Sequence, residues 1–174
     1  MKIILDAGHG GKDPGAIGGN LQEKALALAI VRKIAARCLP LDVCLTRKDD
    51  VFVPINERAK MANTMGADCF VSIHLNATAN FTAHGIETLC YSEKGDGYKL
   101  ANMMQNALIK ETGAENRGVK IRPDLGVLRG TKMPAILIEC GFISNAVERT
   151  KLASAAYQDK IAQTVAAVLK YVYK

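Results

Sequence analysis

The chain predicts an α/β fold in three layers, α/β/α, with a mostly parallel sheet covered by helices on both faces. Three observations carry this. Short apolar runs such as "KIIL", "CFVSI" and "AILI" read as buried strands. Stretches with apolar residues at helical spacing separate them, as with Leu26, Ile30 and Ile34. The two signals alternate for most of the length. In order, residues 2–5 read as a strand and the glycine-rich 8–19 as a loop. Residues 23–38 form a helix, with Pro40 beyond its end. Residues 42–47 are a strand in which Val43 and Leu45 alternate with polar neighbours. Pro54 opens a helix through Met65 from its first helical position. Residues 68–74 and 85–91 are strands, and 96–112 a helix ended by Gly113. Residues 119–122 and 127–129 are short extended pieces, and 134–140 is the last strong strand. Asn145 and Glu148 resemble a capping box opening a short helix. Residues 156–173 close the chain as a helix with Ile161, Val165, Val168 and Val172 on one face.

At 174 residues the chain suffices for one core-forming domain spanning 1–174, and no linker or repeat marks a second unit. No apolar run approaches the ~18–20 residues of a membrane span. The N-terminus lacks the ~7–15 apolar residues of a secretion signal, so cytoplasmic synthesis without a signal peptide is expected. The formal charge is +6, yet there is no Trp, aromatics are few and no dense basic stripe occurs, which argues against nucleic acid. The five cysteines are odd in number and lack CxxC spacing, and so read as buried reduced thiols. Cys140 follows Glu139 directly. Side chains alternate faces along a strand, so if Glu139 faces a site Cys140 faces away and is no nucleophile.

In open α/β sheets, sites gather beyond the carboxyl ends of the strands. His9 lies just past strand 2–5, His74 ends strand 68–74, and Glu139 stands at the end of strand 134–140. Glu23 occupies the first turn of the helix after the first strand. Three of these side chains make the usual ligand set of a catalytic zinc, two imidazoles and a carboxylate, and the remaining carboxylate is free to act as a base. That is the inventory of a hydrolase that splits an amide with metal-activated water. Each residue alone also has a plainer explanation. Glu23 complements a helix dipole, His74 bonds backbone at a strand end, and His9 is a loop residue. Glu139 is hardest to explain plainly, because a carboxylate ending an apolar run is costly to bury without a partner or metal. Gly8, Gly10, Gly11 and Gly15 allow sharp turns and close backbone approach. The fragment "GHGGKD" nonetheless matches neither the phosphate loop nor the dinucleotide fingerprint, because Asp6 and Asp13 stand where those motifs need other residues.

The strings "LDAGHGGKDPGA", Glu23–Lys24, "LTRKDD", "ERAKMAN", "ADCFVSIHLNA", "NRGVK", "VLRGTKMPAILIECGFISN" and "YQDKIAQTVAAVL" together resemble the zinc-dependent N-acetylmuramoyl-L-alanine amidases of bacteria and their phages. The resemblance spans about residues 2 to 171. It implies a single α/β domain with a twisted six-stranded sheet, one zinc ion held by His9, Glu23 and His74, and Glu139 as the catalytic acid–base. It also implies that peptidoglycan is the substrate, cut at the amide between the lactyl group of N-acetylmuramic acid and L-alanine of the stem peptide. Asn76 either helps hold substrate or fixes its own loop. Arg129 either meets a stem-peptide carboxylate or lies in solvent. His84 matches no ligand of the family and reads as a surface residue. Many members carry an export signal or a wall-binding module. This chain shows neither, so delivery to the wall by phage lysis or mother-cell lysis is expected, with net positive charge drawing a monomer to anionic wall polymers. Two rival readings remain open: a zinc carboxypeptidase acting on free peptides, and a catalytically silent wall-binding protein of the same fold.

Overall fold

The computed structural model describes residues 1–173. A six-stranded sheet forms from β1 (Lys2–Ala7), β4 (Asp42–Leu45), β5 (Cys69–Asn76), β6 (Ile86–Cys90), β7 (Asn116–Ile121) and β8 (Ala135–Phe142), in the order β4-β1-β5-β8-β6-β7. Pairing is parallel from β4 to β8 and again between β6 and β7, whereas β6 runs antiparallel to β8. The helices are α1 (Glu23–Ala35), α2 (Ile55–Thr64), α3 (Asp96–Thr112), α4 (Gly126–Gly130), α5 (Ala146–Ala153) and α6 (Ala155–Val172). The mostly parallel, three-layer expectation holds.

The two faces of the sheet are unequal. Ile3, Leu5, Val71, Ile73, Ile136 and Ile138 pack with Ile30, Ile34, Met104, Leu108, Ile161 and Val165 of α1, α3 and α6 into a large core. The alternate strand positions Ile4, Phe70, Leu89 and Leu137 meet the smaller α2–α4 layer through Ala62, Val127 and Leu128. By the same alternation Asp6, Ser72, His74 and Glu139 point to the smaller face, while Cys140 points into the large core and is fully buried.

Several local expectations are corrected. Residues 127–129 lie in helix α4, not in an extended piece. Gly126 and Gly130, four apart, share one helical face and let α4 approach α2: a Cβ on Gly130 would stand 2.9 Å from that of Ala59. The loop at 8–19 contains β2 (Ile17–Gly18), paired with β3 (Leu21–Gln22) around Gly19 at φ 58°. Pro54 is the cap of α2, which begins one residue later. Only half of the capping box forms. Asn145 accepts from the Val147 and Glu148 amides, but Glu148 turns inward and accepts from the Gly85 and Phe142 amides at 2.9 Å each, tying β6 to β8.

A buried polar cluster beneath the carboxyl end of β1 fixes the loop that follows. Asp6 is fully buried and accepts from Thr46 Oγ1 at 2.6 Å, Ser72 Oγ at 2.6 Å and Arg58 Nη1 at 2.7 Å. Arg58 also donates to the carbonyls of Ala7 and His9, both at 2.6 Å. Arg47 donates to the carbonyls of Ala7 at 2.9 Å, Gly8 at 2.8 Å and Lys24 at 2.7 Å. The backbone from Ala7 to His9 is thereby clamped by two guanidiniums that are each 3% exposed. His9 is held at φ 60°, a left-handed conformation that costs a non-glycine residue ~1–2 kcal/mol.

Arg58→Met would leave the Asp6 carboxylate buried without its counter-charge. We expect a loss of ~3–5 kcal/mol in unfolding free energy by chemical denaturation. A loss below ~1 kcal/mol would show that the pair is not what holds this corner together.

Candidate metal centre

His9, Glu23 and His74 come together although they belong to three separate segments. Each offers one donor atom, and these atoms all lie within 4.8 Å of one another. The convergence has local causes. His74 sits near the end of β5 and Glu23 opens α1, whose first turn reaches over the same edge of the sheet. His9 follows β1 in the clamped loop. Close approach needs glycine at two positions. A Cβ at Gly8 would lie 2.4 Å from His74 Cε1, and one at Gly15, where φ is 66°, would lie 2.6 Å from both Glu23 Oε2 and His9 Cδ2.

Glu23 is 3% exposed and accepts from four groups. Oε1 lies 2.9 Å from His74 Nδ1 and takes the Leu75 amide at 2.9 Å. Oε2 lies 3.1 Å from His9 Nε2 and takes the Ala16 amide at 2.9 Å. Burial alone would push its pKa up, but the two imidazoles and the Leu75 amide more than offset that and hold it well below the usual carboxylate range. Burial pulls the His9 imidazole down, while Glu23 and then Asp13 outweigh it and raise the pKa to about 9. His74 is raised on balance as well, burial again opposing and Glu23 and Glu139 favouring the charged form. Asp13 Oδ2 stands 2.8 Å from His9 Nδ1, which leaves Nε2 of that ring facing the cluster.

Glu139 is the register partner of His74 across β5 and β8, so the two side chains rise side by side from one face. Its Oε2 is buried with no hydrogen-bond partner among the described residues. Burial is the main cause that pushes the Glu139 pKa up to about 7, opposed by the charge of His74 and reinforced by those of Glu23 and Glu87. Glu87 is the opposite neighbour of Glu139 on β6. It is held by Asn76 Nδ2 at 2.9 Å and Arg117 Nε at 3.1 Å.

Two imidazoles and a carboxylate at this spacing fit a small divalent cation whose bonds to nitrogen and oxygen run ~2.0–2.2 Å. Amide donors on Glu23 and a carboxylate behind His9 are the supports that orient such ligands. A cavity of about 330 Å³ opens over His9, Glu23, His74 and Glu139 and is lined further by Asn76 and Arg122. Asn76 is engaged at both ends of its amide, since its Oδ1 accepts from the Ala77 N–H at 2.8 Å. Arg129 is exposed and lines a different cavity, between α2 and α4. His84 is exposed and bonded to the Thr82 carbonyl at 2.9 Å. Burial raises the Cys140 thiol far above its ordinary pKa, so no thiolate is at hand there. Sequence reasoning missed Asp13, Glu87 and Arg122. For Asp13 the signal was a carboxylate four residues after His9.

The family model described as N-acetylmuramoyl-L-alanine amidase matches residues 3–171. The chain is 37% identical to N-acetylmuramoyl-L-alanine amidase LytC of Bacillus subtilis (strain 168) over 94% of its own length and 34% of that protein's. It is 40% identical to the endolysin of Bacillus phage SPP1 over 92% of its own length and 62% of that protein's. It therefore spans about a third to three-fifths of these two relatives. The crystal structure of N-acetylmuramoyl-L-alanine amidase from Clostridium difficile 630 superposes with a TM-score of 0.94 at 37% identity, covering 98% of this chain and 96% of that one.

A carboxyl whose pKa is raised in the fold binds its proton more tightly when native, so stability falls as pH rises. In chelator-treated protein, wild type should lose stability relative to Glu139→Gln from the usual carboxylate value of 4.5 up to about 7. The two should converge in acid. Denaturation midpoints measured across that range check this, and a difference that does not change with pH would contradict it.

Proposed function

The chain belongs to the N-acetylmuramoyl-L-alanine amidase family, and from that premise we propose that it is a zinc-dependent hydrolase of peptidoglycan. The bond cut is the amide between the lactyl group of N-acetylmuramic acid and L-alanine of the stem peptide. The observation that carries this reading is the meeting of His9, Glu23 and His74 beside Glu139, whose Oε2 is buried and unpartnered.

His9, Glu23 and His74 hold one zinc ion. When bound, zinc supplies Lewis-acid charge that polarises the amide carbonyl and makes water a nucleophile near neutral pH. Glu139 takes the proton of the attacking water onto its free oxygen and later delivers it to the departing alanine nitrogen. Burial suits Glu139 to both tasks, because a carboxyl near neutrality can accept and return a proton at working pH. Asp13 keeps the His9 ring oriented with Nε2 inward. Asn76, pinned by Glu87, forms part of the wall beside Glu139 and presents the substrate side of the cleft.

No helix among the described residues is long and apolar enough to cross a membrane. The polymer acted on belongs to the cell wall, so the chain works there after release, as an autolysin or an endolysin does. The net charge of +6 supports a weak attraction to anionic wall polymers.

Glu139→Gln should keep one zinc per chain by metal analysis and lose ~10²–10⁴ in the rate of new N-terminal alanine release from purified peptidoglycan. Undiminished turnover would remove Glu139 from its role, and zinc retained without any wild-type turnover would favour a silent wall-binding protein. Peptides lacking muramic acid should not be cut, and their efficient cleavage would favour the carboxypeptidase reading. Sedimentation with purified walls should weaken as salt rises past the screening regime. Binding that stays constant from low to high salt would contradict the electrostatic attraction.

A further inference from the structure

Two cavities lie on the α2–α4 side of the metal donors. One, of about 290 Å³, is bounded by His9 and His74 and walled by Val53, Leu125 and Leu137. The other, of about 680 Å³, runs between α2 and α4 and reaches Arg129. Phe52, Ile55 and Gly126 line both, so the cavities adjoin along a shared wall and make a stepped trench between the donors and Arg129. Gly126 stands at the joint. A Cβ there would come within 2.6 Å of Ile55 Cγ2, so the bare glycine is what lets Ile55 pack against the start of α4 as the floor of that joint.

We propose that this trench receives the peptide arm of the substrate and that Arg129 binds a carboxylate of that arm. The inference rests on the amidase reading and adds a specificity-determining residue to it. The middle of the trench is apolar, and Phe52 and Ile55 are 42% and 61% exposed, surface that an extended peptide would cover. The far end is cationic and free. Among the described residues no hydrogen bond or ion pair engages the Arg129 guanidinium, although its charge is felt by Asp124. The neighbouring cations are committed: Arg122 grips Asp124 at 2.9 and 2.7 Å, and Lys60 stands 3.6 Å from Glu57. The cavity beside Glu139 instead carries Asn76 and Arg122 among apolar neighbours such as Leu75 and Leu89. The uncommitted guanidinium therefore sets the direction, with the peptide running along α2 and α4 toward Arg129 and the sugar left on the Asn76 side. A stem peptide carries free carboxylates beyond its first alanine, and a guanidinium is the side chain best matched to a carboxylate.

The test uses the full chain with its zinc and two soluble muramoyl peptides that differ only in having free carboxylates or carboxamides beyond L-alanine. Wild type should prefer the acidic substrate. In Arg129→Gln the ratio of kcat/KM for acidic over amidated substrate should fall ~10-fold, through KM rather than kcat, as loss of one charge-assisted contact predicts. Arg129→Lys should recover part of the preference. An unchanged ratio in Arg129→Gln, with wild type cleaving both substrates, would overturn the proposal and leave the amidase reading intact. Failure of wild type to cleave either substrate would overturn the amidase reading and this proposal with it.

Discussion

A single carboxylate, that of Glu23, joins the loop after β1, the start of α1 and the end of β5. It accepts from the amides of Ala16 and Leu75 and faces both imidazoles. A charge at 3% exposure is tolerated only when its oxygens are satisfied, and here each oxygen has one amide and one ring nitrogen. The partners come from two stretches far apart in sequence, His9 with Ala16 and His74 with Leu75, so the carboxylate can be satisfied only if the chain is folded as it is. Gly8 and Gly15 follow from this, because any Cβ at either position would drive the rings or the carboxylate apart.

Behind that knot lies a second layer of buried charge. Asp6 and Arg58 occupy the smaller face of the sheet, where the α2–α4 layer leaves room for a long polar side chain, and Arg47 bridges the same corner to the first turn of α1. Asp6 anchors Arg58, and the two arginines donate to the main-chain carbonyls of Ala7, Gly8 and His9, so they act on the position of the backbone. The large core on the opposite face supplies the rigidity, with β1, β5 and β8 anchored by continuous apolar packing. Strand alternation then delivers His74 and Glu139 to one face and Cys140 to the other. Register places His74 and Glu139 abreast. Function is thus concentrated where the cover is thinnest and the strands end.

The strand ends carrying His74 and Glu139 were legible because their apolar runs are long and stop at a charge or an imidazole. His9 and Glu23 were legible as positions at the same edge of the sheet. Their mutual contact was not, because spacing alone does not say which loop folds over which helix. The roles of Arg47 and Arg58 were not legible, since an arginine after a strand or on a helix reads as a solvated charge until a buried partner is seen. Asp6 offered that hint: it ends an apolar strand just as Glu139 does, and the same cost of burying a carboxylate applies. Helix α4 was misread because it is short, Val127 favours strands and two glycines flank its core, and their close approach to α2 exists only in the folded chain. The inward turn of Glu148 likewise answers to β6 and β8 rather than to its own helix.

The claim on which the account turns is that these segments enclose one zinc ion beside a carboxyl left free for proton transfer. Anomalous scattering at the zinc edge from crystals of active protein tests it most directly. The account predicts a single peak among His9, Glu23 and His74, with Glu139 outside bonding distance of the ion. A peak elsewhere, a Glu139 bound directly to the metal, or full activity in protein without any such peak would contradict it.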